Sequence, residues 1–217
     1  MKNEFEKRFL SSIILVPLSF FFIIKGSFLF NFFLAVCFIV TSYEWHMMSK
    51  KKNYLIPGYL FLIFTFYCTY NLRNHFGNES LSYFLLIIII CISTDIGGYF
   101  FGKTFKGPKL TKISPNKTYS GMFGGFILSV ILATIYFNNL SDLSLAESNT
   151  DIGIQIMLIV LSISFISQVG DLVISFFKRK SKIKNTGKII PGHGGLLDRI
   201  DGMIFAFPYT FILMKII

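Results

Sequence analysis

Seven runs of largely apolar residues, at about 9–25, 27–48, 54–72, 81–101, 119–137, 152–177 and 199–217, occupy most of this 217-residue chain. Each approaches the roughly 20 residues that an α-helix needs to cross the hydrocarbon core of a bilayer. Only 15% of the residues are charged, against about a quarter in soluble domains. The 27 Phe and the long Ile/Leu runs would cover a soluble surface with aggregating patches. The expected fold is therefore all-α, a polytopic membrane helical bundle of about seven transmembrane helices. It forms a single integral-membrane domain, 1–217. Within it, 1–80 contributes N-terminal spans, and 81–217 carries the polar motifs and two basic loops, 102–118 and 178–197. The first run has the basic flanks of a secretory signal, but no small-residue cleavage site precedes the next run, so it is read as retained.

Charge placement supplies an orientation. With the N-terminus in the cytoplasm, the inner side receives Lys2, Lys7, Arg8, Lys50, Lys51, Lys52, Lys103, Lys106, Lys109, Lys112, Lys117, Lys178, Arg179, Lys180, Lys182, Lys184, Lys188 and Arg199. The outer side keeps Lys25, Arg73 and Lys215. That bias follows the positive-inside rule. The net charge of +10 then describes a basic inner face suited to anionic head groups and phosphates, and not a nucleic-acid-binding surface. Cys37, Cys68 and Cys91 all fall inside predicted spans without a CxxC pair, as buried free thiols do.

The acids divide by depth. Glu4 and Glu6 belong to the inner tail, and Glu79, Asp142, Glu147 and Asp151 to outer loops. Glu44, Asp95, Asp171, Asp198 and Asp201 fall within or at the ends of spans, where ionisable groups are costly and point to function. Asp95 and Asp171 each precede the inner end of their span by six residues, a depth of about 9 Å at 1.5 Å per residue. Asp198 and Asp201 open the last span from the same side, spaced i, i+3 on one helix face. Four aspartates thus reach one level beneath the inner surface, which implies a one-sided pocket and not a pore. Asp171 and Asp198 suit divalent-metal coordination. The alternative is ion pairing with Arg199 or a loop lysine. Glu44 is expected to pair locally or to sit with Trp45 at the interface.

Two glycine elements sit in the basic loops. Gly97, Gly98 and Gly102 permit close backbone approach, and Ser114-Pro115 forces a turn ahead of Lys117 and Thr118. A cation and a hydroxyl at the start of the fifth span make a phosphate site. Pro191-Gly192-His193-Gly194-Gly195 is a turn able to present backbone N–H groups to an anion. Neither element has Walker or dinucleotide spacing. His193 is either a general base or a hydrogen-bond donor that anchors the loop.

Metal-holding aspartates, lysine-rich loops and an apolar scaffold together imply a lipid joined to a nucleotide or phosphate donor, with cations clamping the phosphate oxygens. A lipid phosphate monoester, with a second pKa of about 6, would need no strong base; a lipid alcohol would. The motif Ser175, Lys178-Arg179, Lys184, Pro191-Gly192-His193-Gly194-Gly195, Asp198-Arg199 and Asp201 closely resembles the C-terminal signature of the bacterial phosphatidate cytidylyltransferases. Gly170-Asp171, Asp95, Tyr99, Gly102, Ser114, Pro115, Lys117, Thr118 and Gly121 extend the likeness from Asp95 onward.

The resemblance implies that CTP and phosphatidate give CDP-diacylglycerol and pyrophosphate at a bacterial inner membrane, on its cytoplasmic side. It further implies Mg²⁺, often with a second cation such as K⁺, held by Asp171 and Asp198. Catalytic roles would fall to Asp171, Asp198, Asp201, Lys178, Arg179 and His193. Substrate binding would fall to Asp95, Lys103, Ser114, Lys117, Thr118, Ser175, Lys184, Gly194, Gly195 and Arg199. Membrane lipids are the expected surroundings, and a homodimer rests on the resemblance alone. Asn185 departs from the pattern, standing where relatives carry an aspartate after the lysine. A CTP-dependent transferase for another lipid, such as an isoprenoid alcohol or ether lipid phosphate, is the alternative. An anion transporter would call for internal repeats and a midplane site, and the chain has no visible repeat.

Overall fold

The computed structural model describes residues 2–77, 79–111, 113–139 and 150–216. Lys112, Asp142 and Glu147 lie outside the described residues, as do the side chains of Lys2, Glu4, Lys7, Arg8 and Asp151. Among the described residues eight helices follow in chain order: α1 Lys2–Lys25, α2 Ser27–Ser49, α3 Leu55–Asn74, α4 Ser80–Phe105, α5 Tyr119–Asn139, α6 Thr150–Lys180, α7 Leu197–Ile200 and α8 Met203–Ile216. Among the described residues there is no strand, only isolated bridges Lys109–Thr118 and Ile190–Gly194 that close the two loops.

The apolar runs map onto these helices one for one, except the last. Helices α2 to α6 are each long and apolar enough to cross a membrane, whereas Phe9–Lys25 of α1 and the whole of α8 are shorter apolar helices. At 1.5 Å per residue, the 14 residues of α8 extend only about 21 Å. The expected seventh span, 199–217, is broken at Asp201–Gly202 because the Gly202 N–H turns to the Asp201 carboxylate at 3.0 Å. Gly202 also lies so close to α6 that a Cβ there would stand 2.4 Å from the Ser167 hydroxyl. Large apolar side chains such as Phe28, Ile56 and Leu60 face outward and are exposed, as a lipid-facing surface requires.

Two apolar clusters fill the interior. One gathers Phe30, Leu72, Phe84, Ile87, Ile90, Phe207 and Phe211. The other, near the α2–α3 turn, gathers Trp45, Met48, Leu62, Ile174, Leu197 and Ile204. Helix α8 packs between α3 and α6, pinned where the Thr65 hydroxyl donates to the Ile204 carbonyl at 2.9 Å. At the opposite end Arg73 donates to the carbonyls of Ile23 and Ile24 at 3.0 and 3.4 Å, satisfying acceptors that the end of α1 leaves open.

The most extensive helix pair is α4 with α5, and its basis is glycine. A Cβ on Gly97 would stand 2.5 Å from the Gly124 carbonyl oxygen, and one on Gly121 would stand 2.6 Å from that of Gly98. The two backbones therefore touch, as small residues permit in membrane helices. Gly97 and Gly98 admit a neighbouring helix, and that packing brings Asp95 and Lys117 to the same end of the bundle. Gly121→Val should accordingly wedge α4 from α5 and cost about 1–3 kcal/mol of stability. Gly153, with nothing within 4 Å of its Cβ position, is the control. Thermal unfolding in detergent should show a lower midpoint for Gly121→Val and none for Gly153→Ala; equal midpoints would refute the contact.

Candidate active site

The site assembles where the α2–α3 turn, the α4–α5 loop and the α6–α7 loop meet. The α6–α7 loop is built around Asp198. Its Oδ1 accepts from the Lys178 ammonium at 2.8 Å. Its Oδ2 accepts from the Thr186 amide at 2.8 Å, the Thr186 hydroxyl at 3.1 Å and the Gly195 amide at 3.1 Å. Burial alone would push this carboxyl up, but the Lys178 ammonium and the two amides outweigh it and hold it below the usual aspartate range. The ion-pair partner is thus Lys178 and not Arg199.

The glycine-rich turn is closed from within. Gly194 and His193 donate their amides to the Ile190 carbonyl at 3.2 and 3.0 Å, and Gly195 donates to Asp198. These N–H groups are therefore taken and do not form an open anion nest, contrary to the expectation from sequence. Gly194 has φ +91°, and a Cβ there would stand 3.0 Å from Asp198 Oδ2; both facts favour glycine.

A second group of acids faces this turn. Asp171 Oδ2 pairs with Lys117 Nζ at 2.5 Å, and its Oδ1 accepts from the Ser175 hydroxyl at 3.2 Å, one helical turn on. Asp201 lies 3.9 Å from Lys178 Nζ, adjoins the Asp171 carboxyl and shares the electrostatic field of Asp95. Asp95 is exposed and feels Asp171, Lys117 and Arg199. Lys178 therefore links Asp198 to Asp201, which in turn adjoins Asp171. Four carboxyls, Asp95, Asp171, Asp198 and Asp201, thus share Lys117, Lys178 and the field of the Arg199 guanidinium. Among the described residues no three His, Cys, Asp or Glu side chains form a ready metal cage.

The remaining sequence candidates lie at the edges. Lys103 is exposed and lies along α4, 3.4 Å from the Tyr99 hydroxyl. Arg179 and Lys184 are exposed, and among the described residues neither pairs with a carboxylate. Thr118 accepts the Gly121 amide at 3.1 Å and so caps α5, while Ser114 shapes the loop by accepting the Lys117 amide at 3.0 Å. Arg199 donates to the His193 carbonyl at 2.8 Å. His193 is held on α1, with its ring nitrogens 2.9 and 3.3 Å from the Ser11 and Ser12 hydroxyls, the geometry of an anchor. Asn185 lies exposed beside Gly194.

Sequence reasoning marked Glu44 as a costly acid in a span but missed its partners. Its carboxylate, 1% exposed, does not pair locally. It accepts from the Leu196 amide at 2.9 Å, the Leu197 amide at 2.8 Å and the Thr186 hydroxyl at 2.9 Å. Trp45 instead donates to the Leu55 carbonyl at 3.1 Å. An apolar cavity of about 160 Å³, lined by Trp45, Phe61, Ile174, Phe177 and Leu197, lies between α2, α3, α6 and α8. It contains no charged group, and the polar recess is a separate feature.

Comparison with known proteins identifies the family. The pattern of the Cytidylyltransferase family matches residues 6–79 and 74–217. Phosphatidate cytidylyltransferase of Rickettsia conorii is 35% identical over 218 residues, covering 99% of this chain and 93% of that protein. The enzyme of the same name from Staphylococcus aureus is 37% identical over 186 residues, covering 83% and 67%. That of Bacillus subtilis is 35% identical over 167 residues, covering 76% of this chain and 59% of the longer relative.

The depressed Asp198 value fixes a pH dependence. Its stabilisation is present above the unfolded aspartate value of about 3.9 and is lost as pH falls through the lower folded value. Hydrogen-exchange protection of the Thr186 and Gly195 amides, corrected for intrinsic rates, should therefore stay constant between about pH 8 and pH 5. A decline within that window would contradict the pairing.

Proposed function

The chain belongs to the cytidylyltransferase family, and from that premise we propose that it is a membrane-embedded phosphatidate cytidylyltransferase, with the acid–lysine recess as its active site. The observation that carries the reading is the convergence of Asp198 and Asp201 on Lys178, with Asp171 beside Asp201 and paired to Lys117, at one end of an apolar bundle. A phosphate oxygen of phosphatidate attacks the α-phosphorus of CTP. The new P–O bond gives CDP-diacylglycerol, the bond to the β-phosphate breaks, and pyrophosphate leaves. A lipid phosphate is largely ionised near neutrality, so no base must remove a proton. That suits a site whose histidine is tied to α1, and it favours phosphatidate over a lipid alcohol.

The obstacle is repulsion between two polyanions, and the residues address it in parts. Lys178, Lys117 and the exposed Arg179, Lys184, Lys103 and Arg199 supply positive charge for the phosphates. Ser175 orients Asp171, Thr118 and Ser114 shape the α4–α5 loop, and Gly194 and Gly195 let Asp198 seat against the turn. The donor set fits Mg²⁺, which uses one or two carboxylates and otherwise waters and substrate phosphates. The adjoining carboxyls of Asp171 and Asp201 need a shared cation or proton. Asp171 and Asp198, with Asp201 beside them, would hold it, and K⁺ is the candidate for a second cation. When bound, the metal supplies neutralisation of the triphosphate charge. The lysine-rich end would face the cytoplasm of a bacterial inner membrane, as the charge bias supports. A homodimer rests on family likeness alone.

Purified protein given CTP labelled in its α-phosphate, Mg²⁺ and phosphatidate should move label into organic-extractable lipid. Label that stays aqueous with phosphatidate but moves with a lipid alcohol would replace this reading with the other transferase. Asp171→Asn and Asp198→Asn should each lower kcat by about 10²–10³-fold while membrane insertion persists. Near-normal turnover in either would remove that residue from the site.

A further inference from the structure

Glu44 stands outside every motif that suggests the reaction, on a helix that contributes no other group to the recess, yet it is among the most buried polar side chains described. Among the described residues no Lys, Arg or His pairs with it; its charge is met only by hydrogen-bond donors. Those donors are two consecutive amides, Leu196 and Leu197, and the hydroxyl of Thr186. The preceding amide, that of Gly195, goes to Asp198. The run Gly195–Leu197 is therefore divided between two carboxylates, one on α2 and one in the site.

Thr186 joins them. Its hydroxyl lies 2.9 Å from Glu44 Oε2 and 3.1 Å from Asp198 Oδ2, and one hydroxyl proton serves one of them at a time. The chain is also moulded on Glu44 sterically. A Cβ at Gly195 would stand 2.5 Å from Oε2, and one at Gly187 would stand 2.7 Å from Oε1.

We propose that Glu44 is a positioning residue for the reaction: it fixes the Thr186–Asp198 turn from α2 and so sets where Asp198 and Lys178 meet the triphosphate. The proposal rests on the cytidylyltransferase reading. Glutamine cannot replace Glu44, because its NH₂ must face either the Leu196 amide or the Leu197 amide and Thr186 hydroxyl. The first placement sets donor against donor, and the second leaves the Leu197 amide without an acceptor.

The test compares Glu44→Gln, Thr186→Ser and Thr186→Val with the wild-type protein in detergent and lipid, by steady-state kinetics and by hydrogen exchange of residues 186–198. Glu44→Gln should lower kcat by about tenfold or more, equivalent to about 1.4 kcal/mol per decade. Its KM for phosphatidate should stay within about twofold, and the amides of residues 195–197 should exchange faster. Thr186→Ser, which keeps the hydroxyl, should retain at least about tenfold more kcat than Thr186→Val. Wild-type kcat in Glu44→Gln, or a fall in kcat with exchange across 195–197 unchanged, would overturn the proposal. So would equal kcat in the two Thr186 variants, which decide the matter should Glu44→Gln not fold. A wild-type protein inactive on CTP and phosphatidate would instead overturn the reaction reading, while the exchange data alone would still decide whether Glu44 holds the turn.

Discussion

A carboxylate inside an apolar bundle must be met by donors or by positive charge, and this protein meets its acids at one end, around the α4–α5 and α6–α7 loops. Glu44 is met by amides and a hydroxyl, Asp198 by amides, a hydroxyl and a lysine, and Asp171 by a serine and a lysine. Desolvating an unpaired ion would cost several kcal/mol. The loop from Ser181 to Leu196 consequently has little freedom in its path, because its amides are needed where the acids stand. The order of a glycine-rich segment thus follows from charge burial and does not require a rigid sequence.

The division between the two acid groups matters for chemistry. Asp198 has an extensive set of donors and serves as the post on which the turn is built. Asp95, Asp171 and Asp201 share Lys117, Lys178 and the field of Arg199. Lys178 belongs to both groups, at 2.8 Å from Asp198 and 3.9 Å from Asp201. Any anion that draws Lys178 toward itself therefore shifts the balance between the two groups of acids.

Much of this was legible from sequence because hydropathy and charge act locally. Transfer cost per residue located the helices, and the bias of lysine located the polar end. Depth counted along single helices brought Asp95, Asp171, Asp198 and Asp201 to one level. What was not legible depended on pairings across long separations. Nothing near Glu44 in sequence announces that its partners are Thr186, Leu196 and Leu197; its burial in a span was the only signal. The break at Asp201–Gly202 sets Gly202 against Ser167, a contact between helices that no local pattern encodes. Gly97 and Gly98 were rightly read as allowing close approach, yet the approaching backbone belongs to α5.

These long-range pairings bear on how far the motif-bearing segment could act alone. Every residue of the signature lies from Asp95 onward, which invites reading the first three helices as a membrane anchor. The hydrogen bonds argue otherwise. Glu44 of α2 occupies the space that makes glycine necessary at positions 187 and 195, and Ser11 and Ser12 of α1 hold the His193 ring. Tyr54, at the start of α3, meets the Ser181 hydroxyl at 2.8 Å, and Ser181 in turn donates to the Met48 carbonyl at 2.7 Å, fixing the end of α6 from which Lys178 projects. Removing α1 to α3 would leave the Leu196 and Leu197 amides without their acceptor, each at a cost of about 1–3 kcal/mol, and the Thr186 hydroxyl with Asp198 alone. The N-terminal helices are therefore part of the site's framework, and the signature is the portion of that framework that happens to be contiguous in sequence.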